Sequence, residues 1–322
     1  MMDTKRISFS SAETFPLKVC IHRELLEGIR SGYIKPVHLQ FMPTNRCNLD
    51  CGFCSCSKRD KDLEFPIKEV AELSSLMAEL GCRAVSVTGG GEPLMHPYIN
   101  EMIYMLFVND MDIGLVTNGL LLDKLYSGDA ITWCRISCSD DRKLTMKYEC
   151  ILDLAVSRSS NIDWSFSYVV STPERFDLDN LVQMVGFANE HKFTHVRVVS
   201  DLIDIRNTVS MAAIRDRLSD LVDDSLVIYQ GRNTWDLGTK DCLISLLKPT
   251  VGADGYVYPC CGVQYARGEC DLDTPADMRM GHWRDMKSLV HYDGSACIRC
   301  YYKNYNDLLG LLTSDIQHKN FL

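Results

Sequence analysis

Three cysteines stand within eight residues at Cys47-Asn-Leu-Asp-Cys51-Gly-Phe-Cys54, with no fourth nearby that completes an obvious set. A structural zinc takes four protein ligands, and a catalytic zinc takes three plus water but seldom three thiolates. A cubane iron–sulfur cluster suits the loop better, because three irons can be held by thiolate while the fourth stays open to a small ligand. A second group, Cys242, Cys260 and the pair Cys297-Ile-Arg-Cys300, has spacing suited to a closed cluster or a structural zinc.

The chain around these residues has 322 residues, 15 of them cysteine. The first twenty carry scattered charges and no continuous apolar core, unlike a secretory signal, and no apolar run is long enough to span a bilayer. We therefore expect a reducing, cytoplasmic setting, where stable disulfides are rare and metal ligation is the leading use for clustered cysteines. A net charge of -9, from 43 acidic and 34 basic residues, argues against a general polyanion binder. No membrane partner is expected, and nucleic acid is unsupported.

The positioning elements alternate. Strands are expected at 36–42, 83–88, 112–117, 131–138, 164–170 and 195–200, with helices over 66–80, 98–108, 143–156 and 178–191. The first helix shows Ile67, Val70, Leu73, Leu76 and Met77 at helical spacing. Six strand–helix units in a row imply a parallel sheet with helices outside, doubly wound or a barrel. The cysteine loop and Gly89-Gly-Gly-Glu-Pro93 both follow strands, at the end where parallel barrels carry function. Beyond about residue 208 we expect a helix at 211–221, a short strand at 226–229, a hairpin turning at Ala253-Asp-Gly255, and a C-terminal helix from Tyr305.

The C-x3-C-x2-C spacing after the first strand, with Gly90-Gly-Glu-Pro93 one unit downstream, resembles the radical S-adenosylmethionine (SAM) superfamily over roughly residues 36–200. The resemblance implies a partial (β/α)6 TIM-type barrel. It implies a [4Fe-4S] cluster on Cys47, Cys51 and Cys54 whose open iron chelates SAM, and reductive cleavage to a 5′-deoxyadenosyl radical that abstracts hydrogen from substrate. It assigns Phe53 to the adenine, and Gly90, Gly91 and Glu92 to the methionine moiety. Thr117, Asn118, Ser137, Ser167 and Arg197 are further cofactor positions by the same resemblance. Cys56 is expected to be a bystander, and Cys20, Cys82, Cys134, Cys138 and Cys150 to be small buried hydrophobes.

Cys242 and Cys260 with Gly255, followed by Cys297 and Cys300, resemble the shortened SPASM-like module called a twitch domain. That implies a β-hairpin plus helix carrying one auxiliary [4Fe-4S] cluster, with structural zinc as the alternative. Cys261 in place of Cys260, and Cys270 in place of Cys242, stay open. The expected organisation is an N-terminal extension (1–35), the barrel (36–208), and a linker with the auxiliary domain (209–322). His38 and Gln40 share a face of the first strand and are expected to be satisfied structural groups. Arg232, Asp201 and Tyr258 are candidates to reach substrate.

The function expected from the resemblance is oxidation or rearrangement of a small polar or nucleotide-type substrate, with electrons from a flavodoxin or ferredoxin. Peptide or protein modification, modification of a base in nucleic acid, and a non-catalytic zinc or iron–sulfur module are the alternatives.

Overall fold

The computed structural model describes residues 11–267, 278–315 and 317. Its strands form a single sheet in the order β10-β9-β8-β1-β2-β3-β4-β5-β6-β7. The parallel part comprises β1 (His38–Phe41), β2 (Ala84–Val87), β3 (Asp112–Thr117), β4 (Trp133–Ser139), β5 (Asp163–Val170), β6 (His195–Ser200) and β7 (Val227–Gln230). The helices between strands are α3 (Ile67–Glu79), α4 (Ile99–Phe107), α5 (Met146–Arg158), α6 (Leu178–Glu190) and α7 (Met211–Leu218). Two short 3₁₀ turns, Leu122–Lys124 and Gly128–Ala130, connect β3 to β4 instead of an α-helix. The strand–helix alternation expected there is broken, because the segment is short and runs into Ser127-Gly128.

One face of each strand is apolar. Leu39, Phe41, Ile113, Leu115, Ile136, Phe166, Val196 and Val198 are fully buried, in one core with Val70, Leu73 and Met77 of α3, Met102 and Ile103 of α4, and Leu181 and Met184 of α6. Each such side chain stabilises the fold by about 1.5–3 kcal/mol. The alternate positions, on the inner face, are polar: Gln40, Ser86, Arg135, Ser137, Ser165, Ser167 and Arg197. Strand periodicity thus separates a packing face from a chemical one.

The sheet does not stop at residue 208. β7 pairs in parallel with β6, and β8 (Thr250–Val251) pairs in parallel with β1. β9 (Tyr256–Tyr258) and β10 (Gly281–His282) continue that edge antiparallel, and the β8–β9 hairpin turns at the expected residues. Gln40 lies beside Thr250, 210 positions away in sequence, and accepts a hydrogen bond from its hydroxyl at 3.3 Å. The C-terminal part is fastened to α3 as well. Trp283, fully buried, donates to Glu69 at 3.3 Å, and Arg284 bridges Glu69 and Glu72.

The N-terminal segment forms two helices that the sequence reading did not assign, α1 (Ser11–Ile21) and α2 (Glu24–Ser31). Pro16 inside α1 masks its pattern, whereas α2 buries Leu25 and Ile29 on one face. α2 packs on the C-terminal helix α9 (Lys303–Thr313), and Phe15 stacks on Tyr305 with centroids 4.1 Å apart. A further short helix, α8 (Ile244–Leu247), precedes β8. Among the described residues no helix is long and apolar enough to cross a membrane.

Candidate functional site

Parallel strands bring their following loops to one end, and the loops after β1, β2, β3 and β4 interlock there. Gly91 N–H donates to Thr44 O at 3.0 Å and Glu92 N–H to Arg46 O at 2.7 Å, so the glycine loop lies on the backbone leading into Cys47. A Cβ on Gly91 would overlap the Arg46 carbonyl, and one on Gly90 would overlap the Asn45 side chain. Gly91 therefore lies on the backbone leading into the cysteine loop and Gly90 on the Asn45 side chain, close approaches that a Cβ would block.

Glu92 is buried, and its carboxylate is engaged by protein. It accepts from Thr117 Oγ1 at 2.6 Å, Asn118 N–H at 2.6 Å and Leu94 N–H at 3.1 Å. Burial pushes its pKa up, opposed by those three donors and by the charge of Arg142. Asn118 Nδ2 donates to Asn48 Oδ1 at 2.7 Å, which ties the end of β3 to the cysteine loop. Asp140, past β4, accepts from Tyr168, Ser171 and the Asp177 N–H, and closes the same end over β5.

Cys47, Cys51 and Cys54 are free thiols, each half-buried, as is Phe53. Two arginines absent from the sequence reading serve them. Arg142 Nη2 donates to Cys51 Sγ at 3.6 Å, while its Nη1 donates to Ser137 O and to Asn118 O. Arg59 Nη1 donates to Cys54 Sγ at 3.7 Å and to Cys56 O, and its Nε to Asn45 O at 2.5 Å. Burial raises the Cys51 thiol against the pull of Arg142, and the charges of Cys54 and Cys47 raise it further. Cys54 is lowered to about 6, chiefly by a hydrogen bond with Cys56 and secondarily by Arg59. Cys56, expected to be a bystander, is thus a buried neighbour that conditions Cys54. The only sequence signal for the arginines was their place just beyond each motif.

The second group is assembled by the fold. Cys242, Cys260, Cys297 and Cys300 line one cavity together with Gly238, Tyr302 and others. Burial raises all four thiols, Cys242 to about 12 and Cys297 to about 11. The Cys297 and Cys300 charges add to the effect on Cys242. Cys261 does not line this cavity; its Sγ lies 3.4 Å from Tyr302 Oη. Cys270 lies outside the described residues. Among the described residues no three or more His, Cys, Asp or Glu side chains form a group that could hold a metal ion as they stand. The chemistry of both donor sets still fits an iron–sulfur group. Three thiols in the loop act on one another electrostatically, and four converge on one cavity.

Of the remaining expectations, Ser137, Ser167 and Arg197 share one level across β4, β5 and β6, with Arg197 Nη2 donating to Ser167 Oγ at 3.1 Å. His38 contacts Ser86 at 2.8 Å, and burial, foremost, pushes its pKa well below the usual imidazole range. Cys82, Cys134 and Cys138 are buried as expected, but Cys20 and Cys150 are exposed, on the solvent faces of α1 and α5. A cavity of ≈ 320 Å³ separates Arg59 and Gly90 from Thr250, Tyr258 and Arg279. Tyr258 donates to Asp254 at 2.7 Å and accepts from Arg279 at 3.1 Å; Arg232 stacks on Trp235; burial raises the pKa of Asp201.

A mixed α/β fold with a large parallel sheet, bearing a three-cysteine loop and a glycine–glutamate loop at one end, defines a class. Residues 41–131, somewhat more than a quarter of the chain, match the model of the Radical SAM superfamily. That family implies SAM and a [4Fe-4S] cluster. GTP 3′,8-cyclase of Staphylococcus aureus (strain JH9) is 34% identical over 111 residues, 31% of this chain and 32% of that one. The chain thus spans about a third of the length of the curated relatives it matches. Among solved structures, Streptococcus suis SuiB bound to S-adenosylmethionine is similar with a TM-score of 0.53 and 16% identity, over 81% of this chain and 67% of that one. Native anSMEcpe with bound AdoMet and Cp18Cys peptide gives 0.55 and 15%, over 88% and 84%. At that identity the likeness is one of fold.

Proposed function

We propose that the chain uses Cys47, Cys51 and Cys54 to hold a SAM-cleaving [4Fe-4S] cluster. Cys242, Cys260, Cys297 and Cys300 would hold one auxiliary [4Fe-4S] cluster in a twitch-type C-terminal unit. The observation that carries the first assignment is the packing of the Gly90–Glu92 loop onto the backbone that enters Cys47. It joins the two motifs into one site at the functional end of a parallel sheet. The second assignment is supported by the four thiols lining one cavity.

With SAM bound, the cluster supplies hydrogen-atom abstraction from an unactivated carbon. The chain's own residues position and shelter that chemistry. Arg142 and Arg59 offset the negative charge of the cysteine sulfurs. Glu92 fixes the end of β3, through Thr117 and Asn118, against the cysteine loop. Phe53, half-buried beside Cys54, would flank an adenine, and Ser137, Ser167 and Arg197 would offer polar groups to the rest of SAM.

The substrate in this reading is a small polar or nucleotide-type molecule. The nucleotide in the name of the S. aureus relative supports it. A flavodoxin or ferredoxin would supply electrons. The test is anaerobic reconstitution followed by incubation with dithionite and SAM. Production of 5′-deoxyadenosine is the expected result, and none from a protein with intact cluster absorption would overturn the reading.

A further inference from the structure

Arg135 has no part in that reading, yet it stands at mid-strand in β4 on the sheet's inner face. Register sets it level with Ser165 and His195, while Arg197 is one level higher and two strands away. The Nε of Arg135 and the Nε of Arg197 are both buried, and neither has a hydrogen-bond partner. Arg135 stacks on Trp133 at 5.2 Å. The charges that bear on it are those of Arg197, Tyr301 and Cys134, with no carboxylate among them. Burial first, and Arg197 second, lower its pKa to about 9. Lys248, just before β8, is within reach of Arg135's charge, and its Nζ lies 3.5 Å from Tyr302 Oη. Arg232 lies over the ring of Tyr301 at 5.0 Å.

Two like-charged guanidinium groups whose buried Nε–H donors are left unsatisfied destabilise a fold unless something answers them. A purely structural inner face has no use for the arrangement, since neutral side chains would fill the same space at less cost. A guanidinium pair is suited to an oxyanion, which it can engage with charge-assisted hydrogen bonds.

We propose that the inner face of the sheet at Arg135 and Arg197, whose buried Nε atoms lack partners, seats an anionic group of the substrate, a phosphate or a carboxylate. The reading rests on the proposed function, in that the inner face is where substrate meets SAM. The same oxyanion chemistry has a second source, the carboxylate of SAM itself, and the experiment separates the two.

Inorganic pyrophosphate is titrated calorimetrically into reconstituted, SAM-loaded protein, and SAM into the same preparations without pyrophosphate. Wild type is compared with Arg135→Gln, Arg135→Lys and the exposed control Arg284→Gln. Pyrophosphate is expected to bind wild type and the control alike and to bind Arg135→Gln about tenfold to a hundredfold more weakly, with Arg135→Lys between. SAM affinity and 5′-deoxyadenosine formation without substrate are expected to be unchanged in Arg135→Gln.

Unchanged pyrophosphate affinity in Arg135→Gln, or no binding to wild type, overturns the proposal. So does a loss of SAM affinity in Arg135→Gln, which would give the site to the cofactor. Should Arg135→Gln fail to fold, Arg135→Met, which keeps the stem beside Trp133, provides the same pyrophosphate comparison. Failure of the radical SAM reading would show instead as absent 5′-deoxyadenosine in wild type, independently of pyrophosphate binding.

Discussion

The two cysteine groups of this chain are built in opposite ways. Cys47, Cys51 and Cys54 come from one loop and are half-exposed, and Cys51 and Cys54 receive hydrogen bonds from Arg142 and Arg59. Cys242, Cys260, Cys297 and Cys300 come from segments up to 58 positions apart, line a cavity, and have thiols raised by burial. At Cys51 a guanidinium opposes the rise that burial causes, and Cys54 is lowered. The four C-terminal thiols, by contrast, are all raised and give up their protons when a metal replaces them. The first arrangement suits a centre that exchanges a ligand at an open position, and the second suits a centre closed by protein.

The sharpest break of the comparison is a cysteine removed from each group. Cys51→Ala is expected to abolish 5′-deoxyadenosine formation and to lower iron from about eight to about four per chain. Cys297→Ala is expected to lower iron equally while leaving SAM cleavage with dithionite measurable. Loss of SAM cleavage in both, with equal loss of fold, would erase the distinction.

Arg142→Met comes next, because one guanidinium holds Cys51, Ser137 O and Asn118 O together. Unpaired acceptors and a lost charge-assisted bond cost about 2–3 kcal/mol. A lower urea midpoint is expected, with iron lost from the loop site and the second site unaffected. Gly91→Ala tests the joint between the two motifs. Overlap with the Arg46 backbone is expected to cost about 2 kcal/mol by urea denaturation and to loosen the loop cluster. The smallest effect is predicted for Cys261→Ser, whose side chain faces Tyr302 outside the four-thiol cavity and which should leave the iron content at the wild-type value.

Much of this was legible in sequence wherever the determinants are local. β3 and β6 begin and end at the expected residues, since strand runs bounded by turn signals are short-range patterns. The cysteine and glycine loops were legible for the same reason. What sequence withheld is non-local. A two-residue strand such as β8 carries no periodicity, and its place beside β1 appears only once the sheet is formed. Nothing local in the sequence aims Arg142 and Arg59 at Cys51 and Cys54; the fold brings them there. The glycines were legible as a motif, but their packing on Asn45 and Arg46 was not. Cys20 and Cys150 failed in the other direction, because residue type alone cannot say which helix face a cysteine occupies.

The measurement that bears most directly on the contrast is electron paramagnetic resonance of the dithionite-reduced, reconstituted protein with and without SAM. An open iron at Cys47, Cys51 and Cys54 and a closed centre at the C-terminal cysteines predict two signals, one shifted by SAM and absent from Cys51→Ala, the other indifferent to SAM and absent from Cys297→Ala. A single signal, or two that both ignore SAM, would contradict the account.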